Sequence, residues 1–420
     1  MKMNSRHINI MKLLDRYKQN KKFFKKIVAF FLILYLLFFT MLPISLYWYS
    51  KSIFLTIVLS VAGILFSEII FLVLYKKLFN SSYEMTYKIP FEKIYVEPHP
   101  YLPYVYKKNF KTSDNNTIAN YPLHQGKYTF ETLSSNSLRH FNSIDGSREI
   151  ENPKPKDLLR VNCLGASTTG NYLWENGVPF SYPMELEKEL KKRFPEKTIE
   201  VNNCGNGGWT SKEILIKFLI DTIDTQPDII ILYHAYNDIR AYITEGFERD
   251  YSHIRKNLGE TLYLYRIASL IPYIPLKGFN FLINQVLSQN SRNSLIDSVS
   301  KGEINIKKDF EGLHVYERNI QHIINICEAN GIKVILSTYC HFLYEDIRTS
   351  DLHIKYHEGV ILENNVIQKL ATLHNIPIVD NSKLIPLEEK YFVDSVHFTP
   401  EGMQFLAHNF ADVVTKMIED

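Results

Sequence analysis

The sequence predicts an α/β protein in which a parallel sheet of about five strands lies between two helical layers, preceded by a pair of membrane-spanning helices. Three observations lead there. Strand-like and helix-like segments alternate five times between residues 158 and 420. The run Asp228–Tyr233 (DIIILY) is apolar almost throughout, as a strand covered on both faces must be. Residues 27–49 and 53–75 are apolar stretches of 23 residues each, the first uncharged and the second carrying only Glu68.

At about 1.5 Å per residue, each stretch covers the roughly 30 Å hydrocarbon core of a bilayer. A cleaved signal peptide fits poorly, because its apolar region is shorter and no second span follows it. Only Ser50, Lys51 and Ser52 separate the runs, which favours a tight hairpin, and Tyr47, Trp48 and Tyr49 suit an aromatic belt. Pro43 is placed to kink the first span. Glu68 reads equally as a functional intramembrane acid or as a residue facing the other helix of the hairpin. Residues 1–26 hold nine Lys/Arg against Asp15 alone, and Lys76 and Lys77 follow the second span. The positive-inside rule then predicts a multi-pass, two-span protein with both the basic tail and the bulk of the chain in the cytoplasm. The tail suits membrane lipid headgroups better than nucleic acid. The whole-chain charge of +3, from 48 basic and 45 acidic side chains, also excludes a general nucleic-acid binder. Ordinary apolar, Gly and Pro content excludes disordered and collagen-like chains. The four cysteines, at 163, 204, 327 and 340, form no C-x-x-C pair and no disulfide framework.

Residues 76–157, rich in Tyr, Pro, Asn and Ser, read as an irregular lead-in to a domain over 158–420. That domain opens with a strand over Leu158–Leu164. A helix over Pro183–Phe194 turns Met184, Leu186 and Leu190 inward, and a second strand covers Thr198–Asn202. The next helix, Ser211–Asp224, turns Ile214, Leu215, Phe218 and Leu219 inward. After the third strand, Asp228–Tyr233, periodicity weakens over 241–308, which reads as an insertion. Its stretch 264–287 fits an amphipathic membrane-contact segment, a lid or core equally. Helix 315–329, with Ile320, Ile323, Ile324 and Cys327 on one face, ends at Gly331. Strand Lys333–Thr338, helix 358–373, strand Pro377–Asp380 and a helix from Pro400 complete the order. The last helix turns Leu406, Phe410, Val413, Val414 and Met417 inward.

In parallel sheets, ligands bind beyond the C-terminal ends of the strands, so those loops carry the chemistry. After the first strand comes Gly165-Ala166-Ser167-Thr168-Thr169-Gly170, where Ser167 is either an exposed nucleophile or a helix cap. No Gly-Lys-Ser/Thr follows, which excludes a P-loop. After the second strand, Asn203 to Ser211 includes Gly205, Gly207 and Gly208, either an anion nest or a plain turn. After the third, Asn237 can donate its amide to an oxyanion, or Asn237 and Asp238 can cap a helix. Before the last helix, Asp394 and His397 stand three apart. The carboxylate can there fix the imidazole so that its other nitrogen takes a proton from a serine, or the segment is a surface turn.

Taken together, the ordered set Ser167, Gly208, Asn237 and Asp394/His397 resembles the SGNH (GDSL-type) hydrolase family. The resemblance spans about 158–418 and includes Pro227-Asp228 before the third strand and the closing run VDSVHFTPEG. It implies a flavodoxin-like three-layer sandwich. It further implies Ser167 as nucleophile, His397 as general base and then acid, and Asp394 as its orienting partner. The implied oxyanion hole is the Ser167 N–H, the Gly208 N–H and the Asn237 side chain, with Asp238 a structural partner of the loop. The chemistry implied is that of a serine esterase or acylhydrolase working through an acyl-serine. Two positions depart from the family pattern: Ala166 stands where Asp is usual in the first block, and Ala235 where Gly is common in the third. No cofactor and no metal are expected, and Cys163 and Cys204 read as small buried hydrophobes. A membrane address suggests an acylated small molecule, lipid or glycan as substrate. Two alternatives remain at this point: an O-acyltransferase using the same site, and a non-catalytic binding protein on this fold.

Overall fold

The computed structural model describes residues 148–170, 173–175, 178–254 and 309–419, with shorter pieces between 96 and 142 and the segments 44–48 and 51–59. The chain divides into two compact units, residues 1–88 with 264–292, and residues 89–263 with 293–420. In the first unit, 44–48 and 53–59 are helical. The remainder of the two expected spans, the basic tail 1–26, Glu68 and the stretch 264–287 lie outside the described residues, as does 255–308 of the expected insertion. Among the described residues no helix is long and apolar enough to cross a membrane.

The second unit is built on a six-stranded sheet. Five strands are parallel: β1 (Leu158–Gly165), β2 (Thr198–Asn203), β3 (Ile229–Tyr233), β4 (Lys333–Ser337) and β5 (Ile378–Val379). Their spatial order is β5-β4-β3-β1-β2, and the short strand Phe141–Asn142 pairs antiparallel with Asn202 and Asn203 at the outer edge. All five residues of β3 are buried, the cause of its unbroken apolar run. On one face pack α1 (Tyr182–Arg193) and α6 (Pro400–Glu419), which lie against each other. On the other lie α2 (Ser211–Lys217), α3 (Asn237–Ile243), α4 (Leu313–Ala329) and α5 (Asp351–Leu373). This is the three-layer α/β architecture expected.

Two elements differ from expectation. The helix expected over Ser211–Asp224 stays α-helical only to Lys217, then passes through a π-turn, Phe218–Thr222, and a 3-10 turn, Ile223–Thr225. The wider π-turn puts Phe218 and Thr222 on the buried side and leaves Leu219 49% exposed, so Leu219 is not a core residue. The helix expected from 358 begins at Asp351. Its first two turns bury only Leu352 and Tyr356, too sparse an apolar stripe to read as helix.

The irregular lead-in is tied to the domain. Leu102, Val105 and Tyr106 are core residues, and Arg148 forms a bidentate pair with the buried Glu187 of α1 at 3.0 Å for each bond. Residues 117–118, 129–130, 173–175 and 178–180 make a separate four-stranded sheet.

Beneath the strand ends runs a buried polar ladder. Arg160 is fully enclosed, and its Nε donates to Glu200 Oε1 at 3.0 Å and its guanidinium to the Thr225 carbonyl. Asn202 joins Glu200 to Asn162 with bonds of 2.6 and 2.9 Å. Asp228 receives the Arg160 N–H at 2.7 Å, the structural reason for an acid just before β3. Removing one partner of such a pair leaves the other charge buried and uncompensated. Arg160→Met is therefore expected to lower unfolding free energy by about 3–5 kcal/mol, measured as a shifted urea midpoint at unchanged m-value.

Candidate active site

The loop after β1 turns sharply into a single helical turn, Ser167–Gly170, closed by a 2.8 Å bond from Gly170 N–H to the Ala166 carbonyl. A Cβ on Gly165 would stand 2.5 Å from the Tyr233 carbonyl, so only glycine lets this turn lie against β3. Ser167 is left half-buried at the C-terminal edge of the sheet.

His397 reaches Ser167 from the other end of the chain, with its Nε2 2.8 Å from Ser167 Oγ. Its Nδ1 lies 2.7 Å from Asp394 Oδ2. The loop that carries both is closed by pairing of Phe392 with Phe398, two buried rings 5.0 Å apart. Inside that loop, Asp394 Oδ1 accepts the N–H groups of Val396 at 2.9 Å and His397 at 2.8 Å. Thr399 then caps α6, accepting the Gly402 N–H on its hydroxyl at 3.2 Å.

Electrostatics fix the proton positions. Burial pushes the Asp394 carboxyl up, but the His397 charge and the hydrogen bonds from His397 and Val396 outweigh it and hold the group below its ordinary value. Asp394 is thus an acceptor only, and His397 Nδ1 must carry the hydrogen that joins them. Nε2 then offers its lone pair to the Ser167 hydroxyl. For His397, burial lowers the pKa, and the charge of Asp394 with its hydrogen bond more than reverses this, so the net shift is upward. A serine, a histidine and an aspartate in this chain can pass a hydroxyl proton to the imidazole as the oxygen attacks.

The Gly-rich loop lies beside the Ser167 turn. A Cβ on Gly205 would stand 2.4 Å from Gly170 N, and one on Gly207 would stand 4.0 Å from the Ser167 Cβ. Gly208 has φ +72°. Asn237 opens α3, and its Nδ2 donates to the Trp209 carbonyl at 2.8 Å, which leaves the second hydrogen of the amide for another acceptor. Asp238 is fully buried and accepts from the Ser211 N–H at 2.8 Å and from the Tyr251 hydroxyl at 2.9 Å. It therefore ties the second and third loops together, as a structural partner should. Direct bonds join Ser167, His397 and Asp394, while the loops bearing Gly208 and Asn237 are linked through Asp238.

Cys163 and Cys204 are buried, and burial raises both thiols above their ordinary range. His234 faces Asp238 at 2.7 Å. His341 is buried, with Nδ1 3.1 Å from His357 Nδ1, and burial with the neighbouring imidazoles lowers its pKa to about 3. His353 and His357 have the H-x-x-x-H spacing of metal ligands, which sequence reading missed because they precede the helix expected from 358. His353 Nδ1 instead meets Ser350 Oγ at 2.9 Å. Among the described residues, no three His, Cys, Asp or Glu side chains are grouped to hold a metal ion. Sequence reading also missed Tyr106, whose hydroxyl accepts the Gly207 N–H at 3.3 Å, since nothing periodic marks the lead-in. It missed Glu363 as well, although an acid within the stripe Gly359, Val360, Val366 and Ile367 was a usable signal.

Residues 163–405 match the GDSL-like lipase/acylhydrolase family. No curated protein is significantly similar in sequence. Among solved structures, an acetyl xylan esterase is similar at 16% identity, covering 61% of this chain and 100% of its own, with a TM-score of 0.38. A lipase/acylhydrolase from Enterococcus faecalis is similar at 16% identity over 62% of this chain and 96% of its own, with a TM-score of 0.37. A GDSL-like lipase from Bacteroides thetaiotaomicron is similar at 16% identity over 61% and 88%, with a TM-score of 0.35.

The His397 shift depends on a charged neighbour. Asp394→Asn removes that charge and leaves burial unopposed, so the His397 titration, followed by its ring-proton NMR signal, is expected to move from above 6.5 to below it.

Proposed function

The chain belongs to the GDSL-like lipase/acylhydrolase family and is an ester hydrolase, and on that premise we propose that it works through Ser167 on an O-acyl ester of a lipid or glycan at a membrane surface. The observation that carries the site assignment is the chain of contacts Ser167–His397–Asp394, at 2.8 and 2.7 Å. Ser167 Oγ attacks the ester carbonyl carbon as His397 Nε2 takes its proton. The carbonyl oxygen gains the negative charge and is met by the Ser167 and Gly208 N–H groups and the free hydrogen of the Asn237 amide. Collapse breaks the bond to the alcohol, which leaves with the proton from His397. Water then repeats the sequence and releases the acid from the acyl-serine.

The membrane address rests on the paired apolar runs, the basic tail and the exposure of the described part of the runs. Trp48 is 74% and Phe54 78% exposed, with Ile44, Ile53 and Ile57 also uncovered by protein. Side chains of this kind suit contact with acyl chains. The two spans would hold the domain at the bilayer, with 1–26 and the hydrolase domain both in the cytoplasm. Protease added to intact cells is then expected to leave the chain beyond residue 76 uncut, and permeabilisation to expose it. Cleavage in intact cells would reverse the assigned sidedness.

Intact mass after treatment with a small fluorophosphonate, on the full chain in detergent, tests the site. Wild type should gain one adduct and Ser167→Ala none; an unmodified wild type would sink the assignment. Asn237→Ala is expected to label slowly and to lose about 10²–10³ in turnover of p-nitrophenyl acetate. Because His397 must be neutral to take the proton and its pKa is raised, activity should fall with acid along a limb centred above 6.5.

A further inference from the structure

Asn237 is preceded by a strained residue. Tyr236 has φ 71° and ψ −52°, and the Asn237 N–H donates across it to the Ala235 carbonyl at 2.8 Å. This is the positive-φ form of the γ-turn, rare for any residue other than glycine. Such a conformation persists only where its surroundings over-determine it.

Helix α5 supplies those surroundings. Glu363, fully buried, accepts the Tyr236 N–H on Oε2 at 3.1 Å and the Tyr242 hydroxyl on Oε1 at 2.9 Å. Tyr356 stacks on the Tyr236 ring with centroids 4.4 Å apart. A Cβ on Gly359 would stand 2.8 Å from Ile239 side-chain atoms, so its absence lets α5 come close to α3. Burial, and after it the charge of Asp238, push the Glu363 carboxyl well above its ordinary value. An apolar side chain of similar size would fill the same space but offer no acceptor. What Glu363 adds is an acceptor aimed at the backbone of Tyr236.

We propose that Glu363 is a positioning residue, clamping the Tyr236 turn so that the Asn237 amide points where the oxyanion forms. The inference rests on the assignment of Asn237 as an oxyanion donor. Its effect falls where charge develops, so it lowers kcat and leaves KM nearly alone.

The test is a double-mutant cycle on p-nitrophenyl acetate hydrolysis by the full chain in detergent. Glu363→Ala should lower kcat about ten-fold or more, with KM changed by less than about two-fold. Asn237→Ala should cost little further in that background, because its amide is already misaimed. Glu363→Gln, whose amide oxygen still accepts the Tyr236 N–H, should regain most of the loss. A wild-type kcat for Glu363→Ala, or losses that simply multiply with those of Asn237→Ala, would overturn the proposal. If the alanine variant does not fold, Glu363→Asp withdraws the acceptor by one methylene and enters the same cycle. Ser167→Ala separates the two readings. Hydrolysis that survives it removes the site assignment itself, whereas serine-dependent hydrolysis with a multiplicative cycle removes only the role of Glu363.

Discussion

The carboxylate of Asp238 sets the spacing of the loops around the site. It is fully buried, and its two oxygens take the Ser211 N–H and hydroxyl, at 2.8 and 2.5 Å, the Tyr251 hydroxyl at 2.9 Å, and a contact to His234 Nε2 at 2.7 Å. A charge so enclosed is tolerable only with its acceptor capacity filled. Ser211 starts the helix that follows the Gly-rich loop, and Asp238 follows Asn237 directly. One ion thus fixes both loops, and Asn319 of α4 adds a 2.9 Å bond to the Ser211 hydroxyl. Within such a network the loss of any member leaves the others unsatisfied, which makes the arrangement rigid.

The other half of the site is held by apolar contacts. Phe392 and Phe398 anchor the ends of the Asp394–His397 loop in the core, and Phe342 N–H bonds to the Ser395 carbonyl at 2.8 Å. The loop is thereby fastened to the segment after β4. Parallel strands with a common polarity bring all these loops to one edge, although Ser167 and His397 are 230 positions apart. The polar ladder of Arg160, Asn162, Glu200 and Asn202 lies below that edge and joins β1 to β2 in register.

How much of this was legible follows from range. The strands and most helices were, because DIIILY in β3 or the stripe of Leu406, Phe410 and Val414 in α6 states burial locally. The residues that the structure brings into contact, Ser167, His397 and Asp394, were legible as an ordered set, since a strand end or a helix start constrains each one's surroundings in sequence. Contacts that close over long separations were not. Tyr106 reaches Gly207 from a segment without period, and Glu363 meets Tyr236 across 127 positions. The outward turn of Leu219 follows from a π-turn, and no local pattern distinguishes that from continuing α-helix. The early start of α5 was hidden because its first turns are half-exposed.

Two buried acids near the site are shifted in opposite directions by what surrounds them. Around Asp394 the protein supplies the His397 charge and two backbone N–H groups, enough to outweigh burial and keep the carboxylate ionised. Around Glu363 it supplies two donors but also the charge of Asp238, and burial wins. The ionised acid can stabilise an imidazolium as it forms. Glu363 instead spends its oxygens on the Tyr236 N–H and the Tyr242 hydroxyl. The opposite shifts of Asp394 and Glu363 therefore follow from what faces each carboxyl, an imidazole and N–H donors in the one case and a second carboxylate in the other.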